Sequence, residues 1–183
     1  MAASTMGSGL PVVEGPPAPQ GAVELYLGLK AGGVDFAVYL PDGTLPPVER
    51  LVRADPEIQT VQCAREDEGI AMAAGAYLGG KMPAALMEGS GLGYAGLILA
   101  RIQLQRTPVL LIASRNRVLD EPFDYHGATR KTGEGVLRGL DIPYLVVTDP
   151  SQLRVIVEKA ALTVWGQRSC VGLFIPNYVI HGQ

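Results

Sequence analysis

Val109-Leu-Leu-Ile-Ala113 is a run of five residues with no polar side chain on either face of an extended chain. A strand points successive side chains to opposite faces, so such a run needs apolar cover on both sides. That cover is what helices provide to a parallel sheet. Outward from this run the same two kinds of segment alternate. Short apolar runs of strand type recur at 34–40, 58–63, 84–87, 144–147 and 170–175. Helical patterns lie near 21–31, 44–54, 66–79, 93–105, 132–140 and 150–166. In the last of these, Leu153, Ile156, Val157, Ala160 and Val164 share one face, behind Asp149 as a capping residue and Pro150 at the first helical position. Alternation with short joins predicts an α/β fold, a three-layer sandwich around a six-stranded, mainly parallel sheet. Residues 1–20, with Pro11, Pro16, Pro17 and Pro19 among small residues, read as a flexible tail, and 21–183 as one domain.

Composition narrows the function. The 183 residues are 48 % hydrophobic and 18 % charged, enough for a sizeable core. Fifteen basic against eighteen acidic residues give a net charge of −3, with no basic block, which argues against nucleic acid or an anionic membrane as partner. No uncharged apolar run approaches the roughly 18–20 residues that cross a bilayer, and the first twenty residues do not form a signal-peptide pattern. Cys63 and Cys170 lie on separate strand runs and read as free buried thiols. A cytoplasmic location follows as the expectation. No spacing of His, Cys, Asp or Glu matches a metal site, and neither a phosphate loop of the GxxxxGK[ST] type nor a nucleophile elbow is present.

In open α/β sheets ligands sit beyond the carboxyl ends of the strands. Four joins there carry chemistry: Pro41-Asp-Gly-Thr44, Arg65-Glu-Asp-Glu68, Glu88-Gly-Ser-Gly-Leu-Gly93, and the long loop from Ser114 to Arg130. Glu66, Asp67 and Glu68 cluster where a strand becomes a helix. Acidic first turns complement the helix dipole and need no further role. The helix that follows, however, is almost without bulk (Ala71, Ala73, Ala74, Gly75, Ala76), which lets another backbone come close. A partly desolvated carboxylate there can work as an acid or base. Gly91-Leu-Gly93-Tyr-Ala-Gly96 matches GxGxxG, so a dinucleotide turn, with Arg115 as partner of a phosphate, stands beside the plain reading of glycines that allow close packing. His126 lies in the long loop near Asp124 and Tyr125 as a candidate proton donor, and His181 falls in the terminal tail.

The stretch Arg65 to Lys81, followed by Leu86-Met-Glu-Gly-Ser-Gly-Leu-Gly93, resembles the pyrimidine-binding domain of thiamine diphosphate-dependent enzymes, and among them the sulfopyruvate decarboxylase α subunit and phosphonopyruvate decarboxylase. Asp120-Glu-Pro122 and Asp141-Ile-Pro-Tyr144 extend the likeness, which spans about 25–176. The resemblance implies the thiamine diphosphate-binding fold. It also implies the α subunit of a two-subunit 2-oxo acid decarboxylase, with Glu66, nine residues before Gly75, hydrogen-bonded to the cofactor's aminopyrimidine ring, and Glu68 as fallback. Gly89, Ser90, Gly91, Leu92 and Gly93 would line the cofactor pocket, and Asp120 to His126 would form a substrate-side loop. A carboligase on the same cofactor is the alternative chemistry. Family members often carry Gln-Asn-Ser-Gly-Leu-Gly-Asn where this chain has Glu88-Gly-Ser-Gly-Leu-Gly-Tyr94, and Glu88 would repel a sulfonate or phosphonate. The family binds the diphosphate and Mg2+ through Gly-Asp-Gly and a later Asn on a second domain. Gly133-Glu-Gly135 falls in the wrong place for that role, so both groups are expected on a β subunit, in an α2β2 assembly or, without the partner, a self-associated dimer.

Overall fold

The computed structural model describes residues 10–116 and 123–182. The elements run α1 (Gln20–Ala31), β1 (Phe36–Tyr39), α2 (Pro46–Ala54), β2 (Gln59–Gln62), α3 (Glu66–Leu78), β3 (Pro83–Glu88), α4 (Gly89–Tyr94), α5 (Gly96–Gln105), β4 (Leu110–Arg115), α6 (Tyr125–Gly139), β5 (Tyr144–Val146), α7 (Leu153–Gln167), β6 (Val171–Pro176) and α8 (Asn177–His181). The six strands form one sheet in the order β2-β1-β3-β4-β6-β5, every pair parallel. Burial follows position in the sheet. β4 and β6 are apolar on both faces and buried through nearly their whole length, whereas the edge strand β2 reads Gln59-Thr-Val-Gln62 and is partly exposed. Polar edges also discourage pairing with another chain.

Two cores flank the sheet. Alternate strand residues Ala37, Leu86, Ile112 and Leu173 face α1, α2, α7 and α8. Their neighbours Val38, Met87, Leu111 and Phe174 face α3, α4, α5 and α6. The period-two alternation is thus what divides one apolar run between two helical layers. Asp149 starts the last long helix as expected, accepting from the Ser151 N–H at 2.9 Å, through a short 3-10 turn at Pro150–Gln152. Both cysteines are buried and free. Among the described residues no helix is long and apolar enough to cross a membrane.

Several sequence expectations are corrected. The segment taken as one loop from Ser114 to Arg130 becomes helical at Tyr125, so His126 stands in the first turn of α6. Apolar periodicity does not reveal that turn, because Tyr125-His-Gly-Ala-Thr-Arg-Lys-Thr132 has none. Packing holds it instead: Gly133 of α6 backs directly onto the Gly89 carbonyl of α4, an approach that a Cβ would block. Asp120, Glu121 and Pro122 lie outside the described residues. His181 is not in a loose tail but in α8, half-buried, with Nε2 3.1 Å from the Thr44 carbonyl oxygen. Of the proposed N-terminal tail, residues 1–9 lie outside the described residues, while Leu10, Val13 and Ala18 lie against the core on the α1, α2, α7 and α8 side of the sheet.

Candidate active site

The chain leaves β1 toward β2 on one side and reaches β3 on the other, which makes the gap between β1 and β3 the switch point of the sheet. A cleft of ≈ 380 Å³ opens there. Its walls come from the ends of four strands: Asp42 to Thr44 after β1, Glu88 of β3, Ser114 to Asn116 at β4, and Asn177 after β6. Phe123, Tyr125 and His126 close one side. Asp42 closes the turn that leads into α2, with Oδ1 accepting from the N–H groups of Thr44 (2.9 Å) and Leu45 (2.7 Å). Its Oδ2 is buried and takes no hydrogen bond. Glu88 Oε1 accepts from Asn116 Nδ2 at 2.8 Å. Arg115 Nε donates to Glu134 at 3.1 Å, and Arg130 approaches the same oxygen at 4.0 Å from one turn earlier in α6. Ser114 is 1 % exposed and its hydroxyl has no partner. The His126 ring packs against the rings of Tyr125 (centroids 4.2 Å) and Phe123 (5.5 Å).

The three carboxylates at the start of α3 go different ways. Arg65 grips Asp67 with Nε (3.0 Å) and Nη2 (2.9 Å), which holds that carboxyl below the usual carboxylate range. Glu68 turns back and accepts from the Ala64 N–H at 3.2 Å, serving the helix start. Glu66 takes no hydrogen bond from another side chain among the described residues and is half-buried. Its side chain lies across Gly91 of α4; a Cβ at that position would stand 2.6 Å from Oε1 and clash with the rest of the carboxylate. The glycine therefore makes the berth in which Glu66 rests.

The other members of the glycine-rich segment pack inward. Gly89 sits against the Ser114 carbonyl, Gly93 against Thr132 of α6, and Leu92 is fully buried in the core on the α3 to α6 side of the sheet, while Ser90 is half-buried. With Gly91 and Gly93 covered by Glu66 and Thr132, and Arg115 paired to Glu134, the GxGxxG turn presents no open cradle for a nucleotide phosphate. Gly133 and Gly135 lie inside α6. The structure thus groups Glu66 with Gly91, and His126 with Asp42, Glu88 and Asn116 on the cleft. Glu66 is not among the residues lining that cleft. Sequence reading passed over Asn177 and Glu49. Asn177 could have been found, since it follows a strand at the sheet's carboxyl edge. Glu49 could not, because its burial (5 % exposed) comes from tertiary packing. Burial pushes its carboxyl up to about 7, the negative charge of Asp42 adds to this, and Arg53 opposes it.

A second hollow, an open groove of ≈ 590 Å³, runs between α3 and α4–α5. Arg65 lies over the Tyr94 ring at 4.9 Å, and Tyr94 and Leu97 are 61 % and 74 % exposed. Ala71 lines the groove, and Gly75, farther along α3, has nothing within 4 Å of its would-be Cβ. Ala71 and Gly75 therefore face open space, whereas Ala73 and Ala74 are buried in the core. Among the described residues no group of three His, Cys, Asp or Glu side chains is gathered to hold a metal ion.

Comparison with known proteins gives these features a setting. The family described as thiamine pyrophosphate enzyme, N-terminal TPP binding domain, matches residues 20–134. The sulfopyruvate decarboxylase subunit alpha of Methanothermobacter thermautotrophicus is 37 % identical over 131 residues, covering 71 % of this chain and 79 % of that protein. The phosphonopyruvate decarboxylase of Streptomyces viridochromogenes is 32 % identical over 133 residues, 70 % of this chain but 33 % of that one. A 2-oxoglutarate:ferredoxin oxidoreductase from Magnetococcus marinus shares the fold at a TM-score of 0.70 and 20 % identity, over 90 % of this chain and 30 % of its own. The matched span takes in Glu66, its glycine berth and the mouth of the cleft, and on that ground the chain belongs to the thiamine pyrophosphate enzymes, through their N-terminal TPP binding domain.

Proposed function

We propose that the chain is the α-type subunit of a thiamine diphosphate-dependent 2-oxo acid decarboxylase and works with a partner subunit that carries the diphosphate and Mg2+ sites. One observation carries the reading. Of three neighbouring carboxylates, Glu66 alone takes no hydrogen bond from a described residue's side chain or backbone, and it is half-buried and berthed on a glycine. A carboxylate so placed suits a ring nitrogen of the aminopyrimidine, with which it can share a proton. When bound, thiamine diphosphate supplies the electron sink for loss of CO2 from a 2-oxo acid. This chain's part is to hold and move one proton at Glu66, to orient the pyrimidine side against α4, and to offer the cleft between β1 and β3 to the substrate, with His126 on its wall. The open groove between α3 and α5 is the surface for the partner, and two such pairs make an α2β2 assembly. The names of the relatives as α subunits support this arrangement.

The test is Glu66→Gln in the chain assembled with its partner. Deuterium exchange at the cofactor's thiazolium carbon, followed by NMR, and decarboxylation of 2-oxo acids should both fall by at least about a hundredfold. Exchange and turnover at the wild-type rate would refute the role of Glu66.

A further inference from the structure

The cleft between β1 and β3 has a hydrogen-bonding balance of its own. Three of its donor side chains are engaged inside the fold. Asn116 gives its amide to Glu88, Asn177 faces the Thr44 hydroxyl at 3.4 Å, and the charge of Arg115 is met by Glu134. Among the described residues, two carboxylates and a hydroxyl on the cleft each keep an oxygen open. The second oxygen of Glu88 takes no hydrogen bond from a described residue, Oδ2 of Asp42 is buried and unpartnered, and the hydroxyl of Ser114, a residue 99 % buried, has no partner at the cleft floor. The Ser114 hydroxyl can donate or accept, but two carboxylates that keep an open oxygen are complemented by a donor and opposed by an anion.

We infer that this cleft takes a 2-oxo acid whose far end is a hydrogen-bond donor rather than a sulfonate or phosphonate. The inference rests on the decarboxylase reading and narrows its substrate class, away from the substrates in the names of the relatives. Glu88 is the specificity-determining residue. It stands at the end of β3 facing the cleft, and Asn116 keeps its carboxylate oriented there. Asp42 adds a second negative charge on the cleft wall, held in place by the turn it closes ahead of α2.

The assembled enzyme tests this with three acids of one carbon skeleton: hydroxypyruvate, sulfopyruvate and pyruvate. Hydroxypyruvate should lead sulfopyruvate by at least about tenfold in kcat/KM. Glu88→Gln keeps an oxygen for Asn116 and removes the charge, so the ratio should move toward sulfopyruvate by about tenfold or more. Calorimetry on the assembled protein without added cofactor gives a readout independent of turnover, and hydroxypyruvate should bind tighter by a similar factor. A preference for sulfopyruvate, a ratio indifferent to Glu88→Gln, or binding of neither acid would overturn the inference. Wild-type turnover in Glu66→Gln, by contrast, would refute only the role of Glu66, and failure of the assembled wild-type enzyme to decarboxylate any 2-oxo acid would bring down the decarboxylase reading; either outcome leaves the calorimetric preference to stand or fall by itself.

Discussion

Glu49 offers a stability measurement whose sign and size follow from its surroundings. It sits in the first turn of α2, 5 % exposed, with Oε1 unpartnered, near the charge of Asp42. Burial makes ionisation costly, and its carboxyl titrates at about 7 instead of 4.5 in the folded chain. Below pH 4.5 both folded and unfolded chains hold the proton, and nothing is lost. Between 4.5 and 7 the unfolded chain releases it while the folded chain keeps it, so folding becomes less favourable as pH rises. Each pH unit is worth about 1.4 kcal/mol, so Glu49 costs ~3 kcal/mol by pH 8. Glu49→Gln imitates the protonated acid. Urea unfolding at pH 4 should give nearly equal stabilities for the two proteins, and at pH 8 the variant should be the more stable by ~3 kcal/mol. Curves that stay parallel from pH 4 to 8 would refute the reasoning, because they would show a carboxylate at ease with its charge.

Three other outcomes are expected. Gly91→Ala pushes a methyl group into the berth of Glu66; the fold should survive at a cost of about 1–3 kcal/mol, while decarboxylation by the assembled enzyme falls at least about tenfold. Leu97→Asp alters a side chain that is 74 % exposed in the single chain. Its unfolding should stay within about 0.5 kcal/mol of wild type, yet sedimentation should show weakened association with the partner. Asp55 is 6 % exposed, and although burial works against its charge, hydrogen bonds from Lys30, the Glu57 N–H and Tyr26 (2.8 Å) hold its carboxyl below the ordinary value. The stabilisation is complete above the unfolded value of about 3.9 and drains away as pH falls through the folded one. Tyr26→Phe removes one donor, so acid unfolding should begin at higher pH and the loss at neutral pH should be ~1–2 kcal/mol.

By itself the sequence determined the layers. Runs such as 109–113, apolar at every position, can be satisfied only by cover on both faces, and the alternating helical segments supply it. It also placed three carboxylates at the mouth of a small-residue helix, since strand end, turn and periodicity are all local properties. It could not say which carboxylate stays free. That choice belongs to Arg65, which takes Asp67, to the Ala64 N–H, which takes Glu68, and to α4, whose Gly91 leaves space for Glu66 alone. Nor could it find the first turn of α6, where no apolar period exists and the helix is held by Gly133 against Gly89. The cleft is likewise a tertiary product: Thr44 and Asn177 are 133 residues apart and meet only because β1 and β6 run the same way through one sheet. Local patterns record what a segment must bury; which polar atoms end up paired depends on neighbours that the sheet's order brings together.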